Sequence, residues 1–285
     1  MTFQYWYMLP ASVLIATIAM ASGVGGATFF SPLFILALRL QPEVAIGTAL
    51  ITEVFGFASG LIAYARRRLI DYRLGVTLLV VTIPAALLGA YIAGDIEPEF
   101  LKVILGVGLF AVAVSFLRAP DHGDIARMDS AIAEEFDGAQ AETCLSPSDG
   151  KAICYTVCNR NEGRLLAGVG GLFVGLISTG LGELNSYFLL QRCRVPSRVA
   201  AATSVFVVAL TALTASSGHF VQFVRTGGSA LHTVVSIAAF TVPGVVVGGQ
   251  LGSYAATRVS QHTMERVLGV LFIFVAALTL GEVIF

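Results

Sequence analysis

Two stretches of this chain break an apolar segment from within. The first is Gly23-Val24-Gly25-Gly26-Ala27-Thr28-Phe29-Phe30-Ser31-Pro32-Leu33, and the second is Gly180-Leu181-Gly182-Glu183-Leu184-Asn185-Ser186-Tyr187-Phe188-Leu189. Clustered glycines, or a glycine pair with a carboxylate, make poor continuous helix. In hydrocarbon a broken backbone survives only where protein buries it or a cavity receives it. Gly-interrupted apolar segments at matching places in two halves of a membrane chain point to a solute site near the bilayer midplane.

The rest of the chain fits that setting. Of its 285 residues 56% are hydrophobic and only 12% charged, with mean hydropathy +0.84; a soluble domain carries about a quarter charged residues. Apolar stretches run over 8–22, 27–38, 44–65, 74–94 and 100–117, then over 164–180, 184–191, 199–224, 229–254 and 264–284. The long ones reach the roughly 20 residues that span a bilayer as helix; the pieces after each break do not. Five pieces, a polar segment and five more imply a duplication. Gly23 and Gly25 match Gly180 and Gly182, Val44–Thr48 matches Val199–Thr203, Pro84 and Gly89 match Pro243 and Gly248, and Leu105–Val107 matches Leu268–Val270. The small drift in these offsets is assigned to loops. The expected architecture is an all-α polytopic membrane protein of two inverted-topology repeats, each a broken-helix hairpin plus three transmembrane helices. Repeat one is 1–117, a linker is 118–163, and repeat two is 164–285.

Orientation follows from Lys and Arg, which favour the cytoplasmic side. If each broken segment dips in and returns, or crosses twice, 14 basic residues share the linker's side and only Arg39, Lys102 and Arg225 oppose them. If each is one kinked crossing, the split falls to 10 against 7. The count favours hairpins, with both termini outside and the linker cytoplasmic. Met1–Tyr7 lacks the basic start of a signal peptide, and Tyr5, Trp6 and Tyr7 read as an interfacial aromatic belt.

Where an unwound segment restarts a helix, unpaired backbone N–H groups and the positive end of the helix dipole form an anion site without any cationic side chain. The candidate residues are Gly23, Gly25, Gly26, Ala27, Thr28 and Ser31 in repeat one, with Gly180, Gly182, Glu183, Asn185, Ser186 and Tyr187 in repeat two. Thr48, Thr52, Thr203 and Ser204 begin the following spans and are placed toward the same gap. The bland reading is that such hydroxyls bond their own helix and the glycines allow close packing. No Lys or Arg falls in an apolar core, but Glu53 and Glu183 do, and a carboxylate at that depth is a functional candidate by default. Glu183 stands where repeat one has Gly26; it either carries a coupling proton or fixes the helix start. Glu53, five residues after Thr48, is turned away from that gap, where packing between repeats is as good a role as coupling. His219 is assigned an interfacial hydrogen-bonding role.

The linker is acidic, with a turn signal at Ser146–Gly150 and a short strand at Ile153–Val157; a small, partly ordered hairpin is expected. Cys144, Cys154 and Cys158 fit no standard zinc spacing with Cys193 or His122, and unpaired reduced cysteines are expected there. No cofactor, metal or nucleic-acid partner is expected, and no catalytic motif is present.

The combined pattern carries a resemblance: the Gly-rich break leading to Ser31-Pro32-Leu33, then Pro42–Thr48, an Arg-rich loop ending Ile70-Asp71-Tyr72-Arg73, and Pro84…Gly89, all repeated after a linker. This resembles the TauE/SafE sulfite exporter family, also called the toluene sulfonate uptake permeases, over nearly all the chain outside 118–163. The resemblance implies secondary transport of sulfite, a sulfonate or a related sulfur oxyanion across a bacterial inner membrane. Repeat two departs from it at Gly182–Ser186 and lacks a proline matching Pro32, so the two sides of the site are expected to differ. A passive channel of the same fold is the alternative, and an intramembrane enzyme or scaffold using the linker cysteines is a third reading.

Overall fold

The computed structural model describes residues 3–22, 26–118, 122–135, 142–148, 152–226, 229–255 and 261–284. The first half is α1 (Met8–Ser22), α2 (Ala27–Leu36), α3 (Pro42–Arg66), α4 (Tyr72–Asp95) and α5 (Pro98–Leu117). The second is α7 (Arg160–Ile177), α8 (Leu181–Ser186) continuing as a π-helical turn (Tyr187–Arg192), α9 (Ser197–Thr226), α10 (Ser229–Ala255) and α11 (Gln261–Ile284). Helices α3, α4, α5, α9 and α10 are long and apolar enough to cross a membrane. Prolines open α3 and α5, where the missing N–H costs nothing. Asp71 caps α4 by accepting the Leu74 N–H at 2.9 Å. Outward positions are apolar: Val80 is 70% exposed, Tyr91 66% and Phe274 61%. Such a surface suits lipid and not water. The protein is an all-α membrane protein.

The halves pack by exchange. Helix α1 lies on α10 and α4 on α7, while α3 pairs with α9 and α5 with α11. Glycines set the closest approaches. A Cβ on Gly89 of α4 would meet the Leu172 carbonyl oxygen of α7 at 2.3 Å, and one on Gly248 of α10 would meet the Val13 oxygen of α1 at 2.4 Å. Gly89 and Gly248 are 159 residues apart, as are Val13 and Leu172, so one contact is made twice. Hydroxyl pairs repeat the theme: Thr52 bonds Thr241 at 2.8 Å, and Thr82 bonds Thr211 at 2.8 Å. Thr52 and Thr211, like Thr82 and Thr241, again stand 159 apart. Reciprocal contacts of this kind are what a two-fold relation produces. Gly47 near the start of α3 meets His219 and Phe223 near the end of α9, and Gly106 of α5 meets Leu280 of α11 while Leu117 meets Gly269. The equivalent helices α3 and α9, and α5 and α11, therefore run antiparallel.

One expectation about the drift between repeats is corrected here. Thr48 and Thr203 are 155 apart, but Thr52 and Thr211 are 159 apart. The extra four residues sit inside α9, which has 30 residues against 25 in α3. Four residues are about one helical turn, so the insertion keeps the buried hydroxyls on the same face.

The linker is more ordered than a lone hairpin. It holds α6 (His122–Glu135) and the antiparallel strands β1 (Thr143–Leu145) and β2 (Ile153–Tyr155). Asp129 of α6 accepts the Ser197 N–H at 2.9 Å and so caps α9. Fully buried Tyr155 donates to Asp71 at 2.7 Å. Burial, then the neighbouring carboxylate, hold its phenol well above the usual tyrosine range. It stays protonated and remains the donor. Ser148 N–H donates to Arg67 O at 3.2 Å.

The cysteines are also corrected: Cys144 is bonded to Cys154 and Cys158 to Cys193, and no free cysteine remains. The first bond joins directly opposed residues of β1 and β2. The second closes the open end of the α7–α8 hairpin, where Arg192 also pairs with Glu162 at 2.9 Å. Both ends of that hairpin thus lie together, as the hairpin reading requires. Disulfides are rare in reducing cytosol, so the sulfur bonding and the arginine count pull in opposite directions on which side the linker faces.

Candidate functional site

The first break ends at Gly26, whose carbonyl accepts from Phe29 N–H at 3.0 Å and Phe30 N–H at 3.1 Å. Gly23 and Gly25 lie outside the described residues. Ala27 opens α2, and its N–H donates to Glu53 Oε1 of α3 at 3.0 Å. Glu53 was expected to turn away from the break; it caps it. Thr48 and Glu53 are about 140° apart around α3 at 3.6 residues per turn, and the restarted helix lies over the Glu53 face. Thr48 instead donates to its own Val44 carbonyl at 2.6 Å.

The second break falls slightly earlier than the glycine pair suggests. Helix α7 stops at Ile177, Ser178 and Gly180 take left-handed φ of 60° and 106°, and α8 begins at Leu181. Gly180 supplies that geometry freely, whereas a side-chain residue such as Ser178 adopts it at a cost of about 1–2 kcal/mol. Gly182 is already helical. Glu183 stands in the first turn of α8.

The breaks meet. Thr28 Oγ1 of α2 lies 3.1 Å from Thr179 Oγ1, and Ser31 Oγ lies 2.5 Å from Ser178 Oγ. All four side chains are buried. Ser178 and Thr179 were not singled out from the sequence, although their hydroxyls directly before Gly180 were a usable signal. On the first-break side alone, Gly26, Phe30, Glu53 and Phe57, with Ala16 of α1 and Val245 of α10, line a cavity of about 20 Å³, room for about one water molecule.

The remaining candidates spread out. Asn185 is buried, and its Nδ2 has no protein partner. Ser204 is buried near the start of α9. Thr203 does not face the breaks, because its hydroxyl accepts the Asp71 N–H at 3.0 Å. Ser186 is exposed and Tyr187 is 47% exposed on the outer side of the hairpin. His219 is fully buried rather than interfacial, 2.9 Å from the Gly175 carbonyl of α7. A larger hollow of about 300 Å³, bounded by Ile51, Ser216, Phe220 and Val235, has no charged wall and opens on the apolar outer surface.

The chain matches the profile of the family described as sulfite exporter TauE/SafE over residues 8–279. It is 24% identical over 283 residues to a probable membrane transporter protein YunE of Bacillus subtilis, covering 96% of each chain. A probable membrane transporter protein of Xylella fastidiosa (strain Temecula1) is 26% identical, over 89% of this chain and 86% of its own. YjnA of Bacillus subtilis, also described as a probable membrane transporter protein, is 26% identical over 87% and 90%. No solved structure matches significantly. Two apolar halves joined through broken helices, and a profile match running from α1 into α11, make this chain a member of the sulfite exporter TauE/SafE family of membrane transporters.

Proposed function

We propose that the protein is a secondary transporter of a small sulfur oxyanion, such as sulfite or a sulfonate, and that it works by alternating access between two inverted repeats. The reading rests chiefly on the Thr28–Thr179 and Ser31–Ser178 contacts, which bring the two breaks into one buried place. Antiparallel α3 and α9, with antiparallel α5 and α11, support the inversion. The positive-inside count supports a cytoplasmic linker with outer termini in a bacterial inner membrane.

In the conformation described, the two breaks touch directly. Parting the breaks frees Thr28, Ser31 and Thr179 from their present partners, while Ser178 still donates to the Ile177 carbonyl at 2.6 Å, and an oxyanion offers the freed hydroxyls replacement acceptors. Exchanging one hydroxyl partner for another is nearly balanced, since a hydrogen bond contributes only about 0.5–1.5 kcal/mol net. The start of α2 adds its dipole and the Ala27 amide. That amide is held by Glu53, so a carboxylate and a solute anion compete for it. A proton on Glu53 removes the charge that repels the solute, and anion entry is thereby coupled to protonation. Glu183 occupies its own helix start and fixes the geometry of the opposite side.

Uptake of labelled sulfite into proteoliposomes tests this. Saturable counterflow is expected, with a pH dependence that flattens in Glu53→Gln and persists in Glu183→Gln. Flux that rises linearly with sulfite and shows no counterflow would mean a pore. An unchanged pH profile in Glu53→Gln would remove its role in coupling.

A further inference from the structure

We propose that the Cys158–Cys193 disulfide is a sulfite-cleavable staple, so that the anion the protein moves also modifies it covalently and releases the α7–α8 hairpin. The inference rests on sulfite being among the transported anions. This bond closes a loop containing both arms of the hairpin and the second break, and it ties the hairpin to the linker. The linker in turn grips α4 through Tyr155 and Asp71, and α9 through Asp129 and Ser197. Any motion of the hairpin against α4 and α9 is restrained at this corner. A cytosolic disulfide, where the arginine count puts this one, is characteristically transient or sensing rather than part of a permanent framework.

The two sulfurs differ in access. Cys158 is exposed, whereas Cys193 is 6% exposed and packed among Leu189, Val195 and Tyr155. Reactivity at a disulfide depends on which sulfur a nucleophile reaches and on the thiolate it expels. The lone pair on the sulfur of sulfite attacks Cys158 Sγ and forms a new S–S bond, giving S-sulfocysteine. The Cys158–Cys193 bond breaks, its electron pair leaves with Cys193 Sγ, and the thiolate takes a proton from water. No separate oxidant or reductant is consumed. Arg192 and Arg194 flank Cys193, and cationic neighbours favour both an approaching anion and a departing thiolate. The reverse attack by Cys193 expels sulfite and restores the staple as its concentration falls. The Cys144–Cys154 bond is a built-in control, because it links strands already paired to each other and frees no transmembrane element when cut.

The test uses the full-length protein in liposomes, exposed to sodium sulfite or to sodium sulfate at equal ionic strength. Sulfite, and not sulfate, should place an S-sulfonate on the Cys158 peptide, open Cys193 to a maleimide, and raise labelled-sulfite flux severalfold. The paired variant Cys158→Ser/Cys193→Ser should show the raised flux from the outset and no further response. The proposal is overturned if the native bond survives sulfite that cleaves it in denaturant, or if cleaved and bonded protein have equal flux. It is also overturned if both thiols already react with maleimide in protein isolated without air. If neither form moves sulfite, the transport reading fails by itself, while the peptide and maleimide readouts still decide whether the staple is cleaved.

Discussion

The two breaks perform the same task with unlike parts. In the first, Gly26 keeps an ordinary right-handed backbone and the restarted helix is capped by Glu53, a residue of a different helix. In the second, Ser178 and Gly180 carry the left-handed turn, and the carboxylate, Glu183, belongs to the first turn of the restarted helix itself. A cap borrowed from a neighbour lasts only while the two helices keep their spacing. A carboxylate carried by the restarted helix moves with it. The proposed coupling accordingly places the change of polarity at the first break, where α2 and Glu53 of α3 belong to different helices.

The strongest way to break this comparison is to attack the frame that both breaks share. Gly89→Val and Gly248→Val each drive a side chain into a helix backbone approached to within 2.4 Å. Overpacking of a core costs about 1–3 kcal/mol and occasionally more, and a clash with backbone belongs at the upper end. Both variants should fail to give monodisperse protein in size-exclusion chromatography, and to a similar degree. Tolerance of one alone would mean that the frame is not two-fold.

Alanine at the break glycines sharpens the contrast. At Gly180 the positive φ makes any side chain strained, for a loss of about 1–2 kcal/mol in unfolding experiments. At Gly26 the added methyl meets Phe30 at 3.6 Å, an ordinary contact, and the backbone is already helical. Gly26→Ala should leave the unfolding midpoint where it is. Equal losses at both would show that the breaks are built alike after all.

The smallest effect is expected where the breaks touch. Ser31→Ala should cost about 1 kcal/mol and Ser178→Ala more, because the Ser178 hydroxyl also donates to the Ile177 carbonyl, with a double variant little worse than Ser178→Ala alone since the two share one hydrogen bond. Full additivity in chemical denaturation would show that the two hydroxyls do not act on each other.

Much of the frame was legible beforehand because its signals are local. Arginines and prolines end the apolar runs, and α3, α4, α5 and α9 begin within two or three residues of where those runs begin. The Gly89 and Gly248 match was legible as a sign of duplication, while the helix contacts those glycines make appear only in the folded chain. The site was less legible for a physical reason. Glu53 lies 26 residues from the amide it caps, and nothing in the spacing around Thr48 reveals which face of α3 receives α2. Thr203 looks equivalent to Thr48, yet its hydroxyl is occupied by the Asp71 backbone, a contact that only the folded chain creates. Ser178 hid the left-handed turn because serine is not the residue that conformation usually selects. Cysteine pairing likewise does not follow from spacing, and α6 escaped notice because its polar sequence was taken with the loop around it.

The matched threonine bonds, Thr52 to Thr241 and Thr82 to Thr211, carry an evolutionary consequence. Each is the other's mirror, so neither requires that the two halves be covalently joined. On the inverted-repeat reading proposed above, two separate half-length copies in opposite orientations could make the same pair of bonds. Fusion lets the halves diverge, and Glu183, where the first half has Gly26, is one such divergence.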